Sequence, residues 1–367
     1  MFSIRNVIGR KKIYDFTQMV AEQGLELSAA EGADPQVVLR ELGWTLYELD
    51  YLTKRAVFID VGSNGDVIDV PFAYNAQMRL AKCIGSVSFD QFFKLADNIK
   101  PTHRLIQFYN IGHCGSTLLH NIFNAGGAAW DISEPKFVRD IAMHRASLPQ
   151  EKQVALAKAG LAFLSLYPKA AQRPALALKH FSQATKIYDI LHAACPAAKN
   201  IYMYRDAISW FNSDYGFWQR WGMPAPMPFN WRHIVWTAKS GNENEVFLKD
   251  LVDFDREGVT FSELAACGCG LHAREYLAAR ATGMEFFALR YNELLADREA
   301  MLKKLCTHCD LNPANVNDSL SAFDHDAHAG EKTSHEQVVQ TLSAADNARI
   351  KELLRHPRLG IDPNVMF

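Results

Sequence analysis

Arg104-Leu-Ile-Gln-Phe-Tyr-Asn-Ile-Gly-His-Cys-Gly-Ser-Thr-Leu-Leu-His120 is the stretch on which the reading of this chain turns. Its first half is apolar, β-branched and aromatic, the composition of a buried strand. Gly112 and Gly115 then turn the chain into an apolar run of helical character. A strand, a glycine turn and a helix start together make an anion site. The backbone N–H groups from Cys114 to Leu118 have no intrahelical partners, and the helix dipole favours negative charge there. Ser116 and Thr117 add hydroxyl donors at the same spot.

An ATP-type loop reads G-x-x-x-x-G-K-[ST], with its lysine on the β- and γ-phosphates. Here Ser116 directly follows Gly115, and Asn110 stands at the first glycine position. The loop holds one phosphate-like group and places no lysine to draw on a γ-phosphate. Cys114, Gly115, Ser116 and Thr117 resemble instead the (K/R)-(S/C)-G-(S/T)-T loop of the sulfotransferases that use 3′-phosphoadenosine-5′-phosphosulfate (PAPS). His113 departs from that pattern, which carries Lys or Arg there. The resemblance implies a 5′-phosphosulfate site of Gly112, His113, Cys114, Gly115, Ser116, Thr117 and Leu118.

Three further segments follow in the family's order. Asn200-Ile-Tyr-Met-Tyr-Arg205 reads as a strand, and Ser213 lies eight residues beyond Arg205 on a helix start. The resemblance assigns the 3′-phosphate to this pair, and a planar guanidinium suits bidentate grip of a phosphate. Cys195-Pro-Ala-Ala-Lys-Asn resembles the family's lead-in to that strand. Glu285-Phe-Phe-Ala-Leu-Arg-Tyr-Asn-Glu-Leu-Leu295 resembles its "RYEDL" segment, implying Tyr291 near the adenine. Asp324 to Ser334 is polar and poor in helix signals, and occupies the place of the second 3′-phosphate loop, with Lys332, Thr333 and Ser334 as donors.

Sulfuryl transfer is an in-line displacement that needs donors on the bridging and terminal oxygens and a base for the acceptor proton. It needs no metal. His113 serves as a cation if the nearby dianion keeps it protonated, and Lys179 is the alternative. Two residues compete for the base. Glu134 lies in Ser133-Glu-Pro135, twenty-one residues after His113, where one branch of the family has a glutamate base. His180 ends the apolar run Ala175-Leu-Ala-Leu-Lys-His180, where the cytosolic branch has Lys-x-His. The missing intervening residue sends Lys179 and His180 to opposite faces. Glu134 is favoured as base, with Lys179 on the leaving oxygen.

The whole chain of 367 residues, 49% hydrophobic with a formal net charge of −2, supports one large core plus an accessory region. That charge gives no reason to expect nucleic acid. No apolar run approaches the ~18–20 residues of a membrane span. The start lacks a secretory core, and seven cysteines in a chain too large to need disulfides point to a reducing cytoplasm. Cys267-Gly-Cys269 lacks the C-x2-C spacing of a zinc knuckle, and Cys306 and Cys309 fall at i and i+3 of a leucine-periodic helix where such positions face a core, so no metal is expected.

The resulting expectation is an α/β fold: a three-layer sandwich around a central parallel sheet with the phosphosulfate loop at residues 101–367. An N-terminal accessory region spans residues 1–100, helical near 15–24, 34–53, 73–84 and 88–98, with a hairpin over 55–70 about Gly62-Ser-Asn-Gly65. Five of the seven tryptophans crowd into 209–236, which suits an apolar or aromatic acceptor pocket or a packed core. The activity implied is sulfuryl transfer from PAPS to a hydroxyl or amine of a small-molecule or lipid-like acceptor. The rival readings are a P-loop nucleotide or small-molecule kinase and a catalytically idle PAPS-binding protein. The acceptor and oligomeric state stay open.

Overall fold

In a computed structural model, residues 2–11, 21–62, 70–101, 103–167, 173–224, 227, 235, 259–313, 316–325 and 341–356 are described. The N-terminal region is built on a sheet rather than on helices alone. Strands β1 (Phe2–Arg10), β2 (Leu25–Leu27), β3 (Glu31–Ala33), β4 (Trp44–Asp50), β5 (Arg55–Asp60) and β6 (Cys83–Ser88) form a six-stranded antiparallel sheet ordered β2-β1-β6-β5-β4, with β3 also on β1. Helices α1 (Ala73–Leu80) and α2 (Phe89–Ala96) fall where helices are expected, though α1 stops early to let β6 begin.

The expected helix over 34–53 is replaced by one turn, Val37–Arg40, and then β4. A register shift between Leu46 and Glu48 breaks the period-two alternation, so Leu46 and Tyr47 are both buried and the strand reads like a helix face. A hairpin turn at residues 51–54 joins β4 to β5; most of the expected turn at Gly62–Gly65 lies outside the described residues. Most of 15–24 also lies outside them.

The second sheet is wholly parallel. It comprises β7 (Arg104–Asn110), β8 (Trp130–Ser133), β9 (Ala175–Lys179), β10 (Lys199–Tyr204) and β11 (Phe287–Arg290), ordered β11-β10-β7-β9-β8. Continuous apolar runs such as Ala175–Lys179 suit strands buried on both faces. The connection from β7 to β8 passes over α3 (Ser116–Gly126) toward one edge. Those from β8 through β9 and β10 to β11 run the other way, over α4 (Lys136–Met143), α5 (Gln150–Leu164), α6 (Tyr188–Ala194), α7 (Ala207–Arg220) and α8 (Phe261–Ala281). Right-handed crossovers in opposite directions place α3 on one face and the returning helices on the other. The packing agrees: α4 touches α5, α5 touches α6, and α6 touches α8, whereas α3 lies on β8 and β9. Helices α9 (Tyr291–Ala296), α10 (Arg298–His308), α11 (Val316–Leu320, against α3) and α12 (Ala344–Leu354, against α8) complete the chain. The switch of direction occurs at β7, so the crevice beyond its carboxyl end is the natural ligand position.

The antiparallel sheet lies over α4 and α5, and one apolar core runs through both units. A charged cluster sits in that junction. Lys136 Nζ is 3.0 Å from Glu48 Oε2 and 2.7 Å from Asp140 Oδ1, and Asp140 Oδ2 accepts the Leu49 N–H at 2.9 Å. Burial, with Asp140 adding to it and Lys136 opposing it, pushes the Glu48 carboxyl up to about 7. Because the folded state holds this proton more tightly than the unfolded chain, the stability is present below the ordinary glutamate range and is lost as pH rises through about 7. Glu48→Gln should therefore gain on the wild type as pH rises from 5 to 8, by up to ~1.4 kcal/mol per unit. Melting temperatures of both proteins across that range check this; a constant difference between them would show that Glu48 ionises freely in the fold.

Candidate active site

The loop that follows β7 is held from several sides. Asn110 Oδ1 accepts the Gly112 N–H at 2.8 Å, and Asn110 Nδ2 donates to the His180 carbonyl at 2.7 Å. Gly112, His113 and Gly115 have φ of 71°, 46° and 87°, and this left-handed backbone coils the chain into α3. At Gly115 only glycine fits: a Cβ would lie 2.3 Å from Tyr291 Cδ2. The first backbone N–H of this helix paired along it is that of Leu119, to the Gly115 carbonyl, so the N–H groups of Ser116, Thr117 and Leu118 face the turn. The Cys114 thiol donates to the Met203 carbonyl at 3.3 Å. Burial pushes it up to about 12, against the pull of Lys179 and Arg205. It anchors the loop rather than reacting.

One face of α7 clamps the turn from the side. Trp210 Nε1 donates to the Gly112 carbonyl at 2.7 Å, His113 Nε2 is 3.1 Å from Asp214 Oδ1, and the Phe217 ring lies 4.6 Å from the imidazole. Trp218 Nε1 donates to the same Asp214 oxygen at 3.2 Å. Positions 210, 214, 217 and 218 follow helical spacing. Trp210 and Trp218 are buried, the first bonded to the loop and the second to Asp214, while Trp231 and Trp236 lie outside the described residues. Sequence reasoning missed Asp214. Its signal was an acid on an otherwise aromatic helix stripe.

Arg205 leaves β10 beside this loop. Its guanidinium carbon is 4.8 Å above the Tyr291 ring, and that ring packs against Gly115. Loop, arginine and tyrosine, up to 176 positions apart, therefore meet at the ends of β7, β10 and β11. Tyr291 is a floor under Arg205 and a wall of the loop. Among the described residues the buried Arg205 Nε finds no hydrogen-bond partner, which suits an anionic ligand. Asp206 caps α7 by accepting the Ser209 N–H at 3.0 Å and ties it to α9 by accepting from Asn292 Nδ2 at 3.0 Å. Ser213 is half-buried on α7. Lys332, Thr333 and Ser334 lie outside the described residues.

On the other side of β7, strands β8 and β9 end side by side, with Ser133 opposite Lys179. Lys179 Nζ donates to Glu134 Oε1 at 2.7 Å and to Ser133 Oγ at 3.2 Å, and the Glu134 N–H donates to the Lys179 carbonyl at 2.6 Å. Glu134 itself has a φ of 57°, a strained value for a residue with a side chain. The N-terminal unit braces this turn: the Ser133 hydroxyl donates to the Pro71 carbonyl, and the Phe72 ring faces Lys179 Nζ at 5.5 Å. From behind, Asp131 Oδ1 accepts the Lys179 N–H at 2.9 Å, and its Oδ2 meets His120 Nδ1 at 3.0 Å. Neither Phe72 nor Asp131 carries a motif.

Lys179 and His180 do take different partners. His180 is fully buried, hydrogen-bonded to Gln107 and packed on Tyr109, and burial pushes its imidazole down to about 3. A histidine so reluctant to accept a proton is a poor base. Glu134, its side chain 14% exposed, has the solvent access that His180 lacks. Cys267, Cys269 and Cys309 are fully buried and Cys306 nearly so, all four on or at the ends of helices, and the described residues contain no group of three metal-type ligands. Among the described residues no helix is long and apolar enough to cross a membrane.

No family model matches the chain, and no curated protein does. Solved structures similar to it include sulfotransferase STF9 from Mycobacterium avium, 12% identical with a TM-score of 0.42, covering 70% of this chain and 76% of that one. Another is sulfotransferase STF1 from Mycobacterium tuberculosis H37Rv, 13% identical with a TM-score of 0.37, covering 73% and 79%.

Proposed function

We propose that this protein transfers a sulfuryl group from PAPS to a hydroxyl or amine of a small-molecule or lipid-like acceptor. The observation that supports the reading is the glycine loop after β7 packed against Tyr291 beneath Arg205, with the Lys179–Glu134 pair at the end of the neighbouring strand β9. The α3 N–H groups, Ser116 and Thr117 cradle the 5′-phosphosulfate, and Arg205 with Ser213 takes the 3′-phosphate. Lys332, Thr333 and Ser334 complete the latter contact. The acceptor oxygen or nitrogen attacks sulfur in line. Its bond to sulfur forms as the sulfur–oxygen bond to the 5′-phosphate breaks, and Glu134 takes the acceptor proton. Lys179 and His113 stabilise charge on the departing phosphate oxygen, so the chain's own donors neutralise it.

The reading is tested by nucleotide binding. 3′,5′-Bisphosphoadenosine, the product of the donor, should raise the melting temperature by a few degrees at 100 times its Kd, where linkage supplies ~2.7 kcal/mol. ATP with Mg²⁺ should not. Stabilisation by ATP–Mg²⁺ alone would favour a kinase and end the sulfotransferase reading.

A further inference from the structure

The contact that no motif foretells is the one behind the loop's unusual histidine. We propose that Asp214 is a positioning residue that holds His113 as an imidazolium, so that a His–Asp couple supplies the charge a lysine or arginine would otherwise bring to the donor; this rests on the donor reading above. Asp214 is wholly buried, and a buried carboxylate is costly without a cation and hydrogen-bond donors around it. His113 Nε2 at 3.1 Å and Trp218 Nε1 at 3.2 Å are among its partners. The imidazole is 22% exposed and the carboxylate 0%, so the positive member of the couple is the outer one and the negative member lies behind it. A ligand phosphate in the crevice meets the cation first.

The surroundings support a charge role over simple packing. The Phe217 ring and the Trp210 bond to Gly112 already hold the loop through other contacts. His113 sits at a φ of 46° in the centre of the turn, where movement of its side chain moves the turn itself. Lys179 shares its charge with Glu134 and Ser133, and the Arg205 guanidinium stands over the Tyr291 ring. The couple is therefore the cation closest in sequence to the 5′-phosphate loop.

A double-mutant cycle reads this directly, with 3′,5′-bisphosphoadenosine as the probe in isothermal titration. Asp214→Asn should weaken binding at least tenfold when residue 113 is His. In the His113→Arg background, where the charge needs no carboxylate to maintain it, the same change should weaken binding less than about threefold. Asp214→Glu should restore affinity to within about threefold of the wild type. Equal losses in both backgrounds would mean that Asp214 acts only as a packing partner of Trp218, overturning the inference but not the donor reading. Wild-type protein that fails to bind the nucleotide would overturn the donor reading itself. If Asp214→Asn does not fold, His113→Gln beside His113→Arg carries the test. The neutral glutamine should lose at least tenfold and arginine should not; equal affinities would overturn the charge role.

Discussion

Replacing Gly115 with alanine should lower the melting temperature by several degrees and abolish the stabilisation by 3′,5′-bisphosphoadenosine. Two costs add at this position. A φ of 87° puts a side chain in left-handed backbone, worth ~1–2 kcal/mol. The new Cβ would lie 2.3 Å from Tyr291 Cδ2 and 3.2 Å from Met203 Cε, and overpacking of this kind costs ~1–3 kcal/mol more. Tyr291 cannot yield without disturbing Arg205 above it, so the chain must move the helix start, which carries the N–H groups proposed to cradle the phosphate. Gly112→Ala is the control. Its φ is 71°, but a Cβ there meets nothing within 4 Å, so it should pay the backbone term alone and keep binding. Equal behaviour of the two variants would show that the contact with Tyr291 does not shape the site.

Arg205→Ala should weaken 3′,5′-bisphosphoadenosine by one to two orders of magnitude, roughly 1.4–2.7 kcal/mol, while the protein stays folded. Arg205→Lys should recover only part of the loss, because an ammonium cannot reproduce the guanidinium fork or its flat contact with the Tyr291 ring. Adenosine 5′-phosphosulfate, which lacks the 3′-phosphate, should bind wild type and Arg205→Ala almost equally. A matching loss for both nucleotides would make Arg205 a brace for Tyr291 and the loop rather than a phosphate ligand.

The parts of this site legible in the amino-acid sequence are those governed by local rules. A glycine turn between an apolar strand and a helix specifies unpaired N–H groups whatever the remainder of the chain does, so the loop at 112–118 could be read directly. Glu134 and Lys179 stood out only through the resemblance to a family pattern, which places charged residues at the ends of those strands. Strand β4 stayed hidden because the bulge at Leu46–Glu48 erases the alternation by which a strand is known. His180, the less favoured base, sits after β9 at a position resembling a functional one, and only the fold shows its ring buried in the core.

What only the tertiary structure decided is who meets whom. The bond between Lys179 and Glu134 exists because β8 and β9 are neighbours, and the bond between His113 and Asp214 because α7 crosses the end of β7. Those partners are separated by 45 and 101 residues. Periodicity reports which face of its own element a side chain occupies, and it carries no information about the element that will lie opposite. That choice is made by strand order and crossover handedness, which depend on the packing of the whole chain.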